Sequence, residues 1–500
     1  MRHLRLTALL ALVTASLCVP AGAQASGGQT SIMQDDDLLV YSGDRVRDDT
    51  LARMKLIGVD TVRVTVLWSV VAANARSTPA RDKRFLRLGA DDPRSYPKAE
   101  WDKYDRLARA CATTGIACYF NVTFPGPSWG HRKPPASQRR NRVTWKPIPA
   151  QYGKFVRAVG TRFSGSYRDE NERVTLPRID QWSLGNEPNQ GGWLTPQWEG
   201  GKPASPALYR SLYLAGYKAL KATRHSGDTI YMGETAPLGS GKRTSRSPMR
   251  PAAFIRELFR RGPRLRTSGW AHHPYTKDLP PTKRDANPDS ITMANFGELG
   301  TLLDRVSRRT HRVRSGLPLI STEFGYETNP PDPFRKTTLA QQAKFDQLGD
   351  LIAWANPRVV GQSQFLLRDV APNTKYSKGS KPYWFTYQSG LFTADDRPKP
   401  ALQSYVLPFV TVPTGGGLTD VWGQLRFRPN GLAADEVELQ FKPAGSSSDF
   451  RALGNKLLVT SGKGFFTARI KVPGRGELRA VWTGSDAPGR AVSLPSPVGG

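Results

Sequence analysis

Three cysteines and six histidines in 500 residues leave this chain poor in the side chains that hold metals or staple small folds. A disulfide scaffold needs far more cysteine, and no histidines and cysteines recur at metal-ligand spacing. A glycine-rich phosphate loop is also missing, so neither a metal nor an organic cofactor is expected. Acid is the scarcer charge: 42 Asp and Glu stand against 72 Lys and Arg, a formal net charge of +30. That excess favours an anionic partner, whether acidic glycan, phosphate polymer, membrane or nucleic acid. The basic residues lie in scattered loops without a recognition-helix or RNA-binding signature, and nucleic acid is set aside. Beyond the first 25 residues no segment is apolar enough to cross a bilayer. What remains is a globular composition, 38% hydrophobic and 10% aromatic, long enough for a large catalytic domain and a small partner.

The N-terminus predicts the compartment. Arg2 and Arg5 precede an apolar run from Leu6 to Leu17, followed by Ala21-Gly22-Ala23 and Ala23-Gln24-Ala25 as small-residue cleavage sites. Residues 1–25 are therefore expected to be a signal peptide and the product secreted. Cys18 does not mark a lipid anchor, because Leu17 is large where such a signal needs a small residue. Cleavage leaves Cys111 and Cys118. Trp101, Tyr104, Leu107 and Cys111 share a helical face, Gly115 stops the helix, and Ile116 to Val122 reads as a strand. A helix folded back on its strand brings the two thiols close enough for a structural disulfide, with two free thiols as the alternative.

Short apolar runs alternate with amphipathic helical patterns along most of the chain. Strands are expected near Ser31–Met33, Thr61–Trp68, Ile116–Val122, Ile179–Leu184, Thr229–Met232, Gly269–His273, Leu317–Thr322 and Val359–Leu367. Helices are expected around Asp48–Ile57, Tyr152–Phe163, Leu208–Thr223 and Lys399–Tyr405. Strict alternation over this many strands favours an α/β fold of the (β/α)₈ TIM-barrel type over an open sheet. The barrel domain is placed at 26–408. Residues 409–500 switch to short alternating runs parted by Gly, Ser and Pro, the pattern of a small accessory β-sandwich.

Barrel enzymes carry their chemistry where strands end. Two expected strands end in a carboxylate: Ser183-Leu184-Gly185-Asn186-Glu187-Pro188 and Leu319-Ile320-Ser321-Thr322-Glu323. They are the fourth and seventh strands, whose ends a closed barrel can bring across one cavity. A carboxyl pair about 5–5.5 Å apart suits retaining glycoside hydrolysis. On these motifs, residues 30–408 resemble clan A of the retaining glycoside hydrolases, the group that includes families 5 and 39. The resemblance implies Glu187 as acid/base, Glu323 as nucleophile, and Asn186 on the sugar 2-hydroxyl. It also matches Arg63 to the clan's strand-two arginine, which steadies the nucleophile. His273 and Tyr275 in His272-His273-Pro274-Tyr275 match its His-x-Tyr, whose tyrosine bonds the nucleophile. His272 should face away.

The chain departs from family 5 in having Asn121 near the end of the third strand and Gln364-Phe365-Leu366-Leu367 in the eighth. Trp384 is a candidate replacement for the missing strand-eight tryptophan, and Trp68, Trp129, Trp193 and Trp198 are candidate sugar-stacking groups. Glu234, after the fifth strand, is expected to line the site or pair with an arginine, and Glu327 to be a loop residue. Loops 131–149 and 239–250 are basic without one acid, and are expected to overhang the catalytic rim and attract an anionic glycan. The sequence thus implies a secreted retaining glycosidase acting on a polysaccharide or glycoconjugate. A transglycosylase, or an inactive carbohydrate-binding or cell-wall adhesion protein, is the alternative.

Overall fold

The computed structural model describes residues 26–72, 83–426, 435–459, 461–484 and 489–499. The signal-peptide expectation for 1–25 lies outside them. Among the described residues no helix is long and apolar enough to cross a membrane.

Eight parallel strands close into a barrel: β1 (Thr30–Gln34), β2 (Thr61–Leu67), β3 (Ala117–Thr123), β4 (Gln181–Leu184), β5 (Thr229–Thr235), β6 (Gly269–His272), β7 (Leu319–Ser321) and β8 (Val359–Phe365). Each strand pairs with its neighbours in sequence, and β1 closes on β8 with Ile32 opposite Ser363. The strands are buried on both faces, with different chemistry on each. In β2, Val62, Val64 and Val66 turn outward into the core shared with the helices. Arg63 and Thr65, in register with Tyr119 and Asn121 of β3, therefore turn into the lumen. An apolar floor of Ile32, Tyr119, Tyr231, Ala271 and Ile320 fills that lumen. Gly361 completes it, because a Cβ there would stand 2.8 Å from Ile32 Cδ1. Polar side chains can then occupy only the upper end.

The helices packed outside include α1 (Asp44–Leu56), α2 (Lys98–Thr114), α3 (Pro149–Arg162), α4 (Ser205–Ala222), α5 (Pro251–Leu258), α6 (Phe296–Thr310), α7 (Leu339–Trp354) and α8 (Pro400–Val406). Three of them, α5, α6 and α7, have no counterpart among the helices expected from sequence. In α7 the reason is physical: Gln342, Asp346, Gln347 and Asp350 are buried along with its apolar residues, which blurs the stripe. Gly115, at φ 67°, ends α2 with a left-handed cap, and the Cys111–Cys118 disulfide ties that helix to β3 with a Cα–Cα distance of 6.3 Å.

After α8 the chain forms two antiparallel sheets. β9 (Phe409–Gly415), β10 (Leu418–Gln424) and β13 (Phe465–Lys471) make one; β11 (Asp435–Pro443), β12 (Arg451–Val459), β14 (Gly476–Thr483), β15 (Arg490–Val492) and β16 (Ser496–Val498) make the other. Around β9 and β10, Pro413 and the glycines at 415–417 interrupt the apolar alternation. Val421, Leu439, Phe466, Ile470 and Leu478 belong to their common core. This unit leans on the barrel through Trp354, Trp422 and Phe465, and through Arg426, whose buried guanidinium pairs with Asp350 at 2.9 Å.

Candidate active site

The upper end of the barrel opens into a cavity of about 720 Å³. Its polar floor starts with Arg63, fully buried on β2. One guanidinium nitrogen, Nη1, donates to Glu323 Oε1 at 3.0 Å, and also to Gln34. The other, Nη2, donates to Asn186 Oδ1 at 2.7 Å and to Glu234 Oε2 at 2.9 Å. A planar fork of this kind ties four other strands to β2 at once, which a lysine cannot do.

Glu187 follows β4 after Gly185, at φ 86°, and itself adopts φ 40°. That left-handed conformation is uncommon for a residue with a Cβ. Two backbone bonds hold it: Asn186 N–H donates to Thr123 Oγ1 at 2.7 Å, and Glu187 N–H donates to the Glu234 carbonyl at 2.8 Å. Glu323 follows β7, where Thr322 N–H donates to the His272 carbonyl at 3.1 Å. Tyr275 Oη donates to Glu323 Oε2 at 3.2 Å. Carboxylate oxygens of Glu187 and Glu323 and a ring nitrogen of His273 all lie within 4.8 Å of one another.

His273 sits between the acids. Its Nδ1 is 3.0 Å from Glu187 Oε1 and 3.5 Å from Glu323 Oε2, and its Nε2 is 2.8 Å from Glu234 Oε2. Burial alone would strip its proton, but the facing carboxylates of Glu323, Glu187 and Glu234 reverse that and push it up to about 10. Burial likewise raises the Glu323 carboxyl, against the pull of His273 and Arg63. Glu234 goes the other way. Burial opposes its charge, but Arg63 and His273 hold it well below the usual carboxylate range. Tyr275 is raised, first by burial and then by Glu323, and so stays a neutral donor. A cation would find no free ligand on His273, whose two nitrogens both face carboxylates, and would compete with Arg63 for Glu323.

Six residues singled out from sequence therefore meet at one place: Arg63, Asn186, Glu187, His273, Tyr275 and Glu323. His272 does face away, with its ring against Thr235 and the Ile291 carbonyl. Trp68 and Trp384 are corrected, and Trp129 and Trp198 do not line the cavity either. Trp68 is fully buried, stacked on Phe155 at 5.7 Å and edge-on to Trp129, and no part of it lines the cavity. Trp384 is also buried, with its indole N–H donated to the Lys378 carbonyl at 2.9 Å. Phe385 and Tyr387 line the cavity instead, and Trp193 does so as well. Asn121 spans the rim below, donating to Ser183 Oγ at 2.7 Å and the Gly185 carbonyl at 3.0 Å.

Of the two arrangements expected for Glu234, the structure shows the pairing with an arginine, Arg63; it lies inside β5, wholly buried and out of reach of the cavity. Glu327 lines the cavity, paired with Arg335, and burial lifts it to about 7. The expected basic rim is absent from the cavity wall. Arg139, Arg140, Arg243 and Arg246 are exposed, Arg246 bonds Asn141, and Arg243 covers Trp198. Asp36, Asp37, Asp278, Glu187, Glu323 and Glu327 line the cavity against only Lys277 and Arg335. The wall is acidic although the chain is strongly basic.

No family model matches the chain, and no curated protein matches it. Among solved structures it is similar to a Bacteroides uniformis β-glucuronidase 2 at 15% identity and TM-score 0.43, covering 93% of this chain. The chain spans 45% of that protein's length. A glucosidase from Croceicoccus marinus is matched at 12% identity and TM-score 0.47, over 91% of this chain and 94% of that one. The endo-β-1,4-mannanase from Thermotoga petrophila is matched at 11% identity and TM-score 0.40, over 95% and 98%. At these identities and TM-scores none assigns an activity to this chain.

Proposed function

We propose that the chain is a secreted retaining O-glycoside hydrolase of the clan A type, acting on a polysaccharide or glycoconjugate. One observation carries this: Glu187 and Glu323 present carboxylate oxygens within 4.8 Å of each other at the mouth of the barrel. That separation suits a nucleophile and an acid/base on one anomeric centre, whereas inversion needs about 6.5–9.5 Å to admit a water between the carboxyl groups.

In the first half-reaction a Glu323 oxygen attacks the anomeric carbon while Glu187 passes its proton to the departing oxygen. The glycosidic C–O bond breaks and a glycosyl ester forms. Arg63 and Tyr275 hold the attacking carboxylate in line and oppose the burial that would protonate it. In the second half-reaction Glu187 takes a proton from water, whose oxygen bonds the anomeric carbon and releases Glu323. Asn186 gives its amide oxygen to Arg63, which leaves its amide nitrogen to donate to a sugar 2-hydroxyl. Incubation with a broad glycan panel, with product configuration followed by NMR and Glu323→Gln as control, tests the proposal. Retained configuration supports it; inverted product, or equal activity in the control, refutes it.

A further inference from the structure

Glu234 is the one carboxylate in this constellation that substrate cannot touch, since both it and its partners' contacts to it are buried. It accepts four hydrogen bonds: from Tyr119 Oη of β3 at 2.6 Å, Thr322 Oγ1 beside β7 at 2.6 Å, Arg63 Nη2 of β2 at 2.9 Å, and His273 Nε2 at 2.8 Å. A charge this deep is costly unless paired, and an apolar side chain would pack the strand more cheaply. Its ionised carboxylate can only accept. Whichever imidazole nitrogen faces it must therefore carry hydrogen, and that nitrogen is Nε2. The only nitrogen of His273 left free to change protonation is Nδ1, which faces Glu187 Oε1.

We propose that Glu234 is a positioning residue that fixes His273 with Nδ1 toward Glu187, giving the acid/base a constant partner through both half-reactions. This rests on the retaining mechanism above. His273 keeps hydrogen on both nitrogens: Nδ1–H donates to Glu187 Oε1 both while Glu187 Oε2 holds the proton bound for the leaving group and after that proton has gone. The charged groups around the ring are Glu187, Glu234 and Glu323, with Arg63 acting through the latter two. His272 precedes it in sequence and Tyr275 follows two residues on, and burial holds His272 neutral, at about 3.

The test uses ¹⁵N-histidine-labelled protein and Glu234→Gln, whose amide can either donate to or accept from Nε2. In the wild type, Nε2 should stay protonated throughout the neutral range. In the variant, His273 should titrate at least about one pH unit lower, because one of its facing charges is gone. The rate should fall at least about tenfold more for glycosides with poor leaving groups than for good ones, with KM nearly unchanged. Tyr119→Phe removes a bond to Glu234 but not its charge, and should leave the His273 titration in place. A wild-type His273 bearing its hydrogen only on Nδ1 overturns the proposal without any variant. So does a folded Glu234→Gln with an unshifted titration and a rate loss uniform across leaving groups. If the titration shifts as expected but the wild type turns over no glycoside, the hold on His273 stands and the glycosidase assignment falls.

Discussion

Arg63 Nη1 lies 3.0 Å from Glu323 Oε1, a contact between residues 260 apart in the chain. It exists only because the barrel closes, and it puts a permanent cation against the carboxylate cast as nucleophile. The same guanidinium carries Glu234, so Arg63→Met should strand two buried acids. We expect a loss of about 3–5 kcal/mol in stability, the range for breaking a buried pair, and a urea midpoint lowered to match. A variant as stable as the wild type would mean that Glu234 and Glu323 are not held as charges.

Glu323→Ala should abolish turnover, with small anions such as azide restoring part of it by replacing the carboxylate. Glu187→Ala should instead slow substrates with poor leaving groups most, since good ones need little protonation. Kinetics on a series of aryl glycosides separates the two roles. Near-normal activity in both variants would defeat the assignment.

Tyr275→Phe keeps the ring, which packs edge-on to Phe365 at 6.2 Å, and removes only the donor to Glu323. A hydrogen bond to a charged group contributes about 1.5–3 kcal/mol, so kcat should fall by roughly 10- to 150-fold. The melting temperature should barely move. An unchanged kcat would remove Tyr275 from the site.

Phe385 is 92% exposed at the edge of the cavity, presented by a loop that buries its neighbour Trp384. An aromatic face left in water suits stacking on a sugar ring. Phe385→Ala should raise KM several-fold on oligosaccharides and leave small aryl glycosides unaffected, with no change in stability. Equal effects on both substrate classes would count against a stacking role.

Glu327 binds its proton more tightly folded than unfolded, because burial lifts it from 4.5 to about 7 despite Arg335. Its contribution to stability is therefore present in full below about pH 4.5 and lost as pH rises through about 7. Glu327→Gln removes that slope. The stability difference between wild type and variant should shift against the wild type between those two values, as read by urea titration. A difference constant with pH would show that the carboxyl is not desolvated.

Much of this was legible in one dimension. The apolar alternation located every barrel strand to within a few residues, because the strand face turned to the helices must stay apolar along its length. The endings Asn186-Glu187 and Thr322-Glu323 stood out because polar groups concentrate where such a strand leaves the core. One boundary mattered for the site. Strand β5 runs to Thr235 rather than Met232, and that difference turns Glu234 from a rim carboxylate into a buried one.

What the sequence determined alone is the layered plan and the two carboxylates at strand ends, which follow from local periodicity; the roles given to them, and Arg63 and His273 beside them, came from the resemblance to clan A. Which side chains reach the cavity was decided only by tertiary packing. Trp68, directly after β2, and Phe385, in the long loop after β8, are both aromatics following barrel strands, yet one fills the core under Trp129 and the other stands in solvent. The basic loops also read as rim from their order in the chain, while the folded wall is acidic. Local sequence sets how polar a segment is; whether that polarity faces the substrate depends on which neighbours cover it, and those neighbours come from distant parts of the chain.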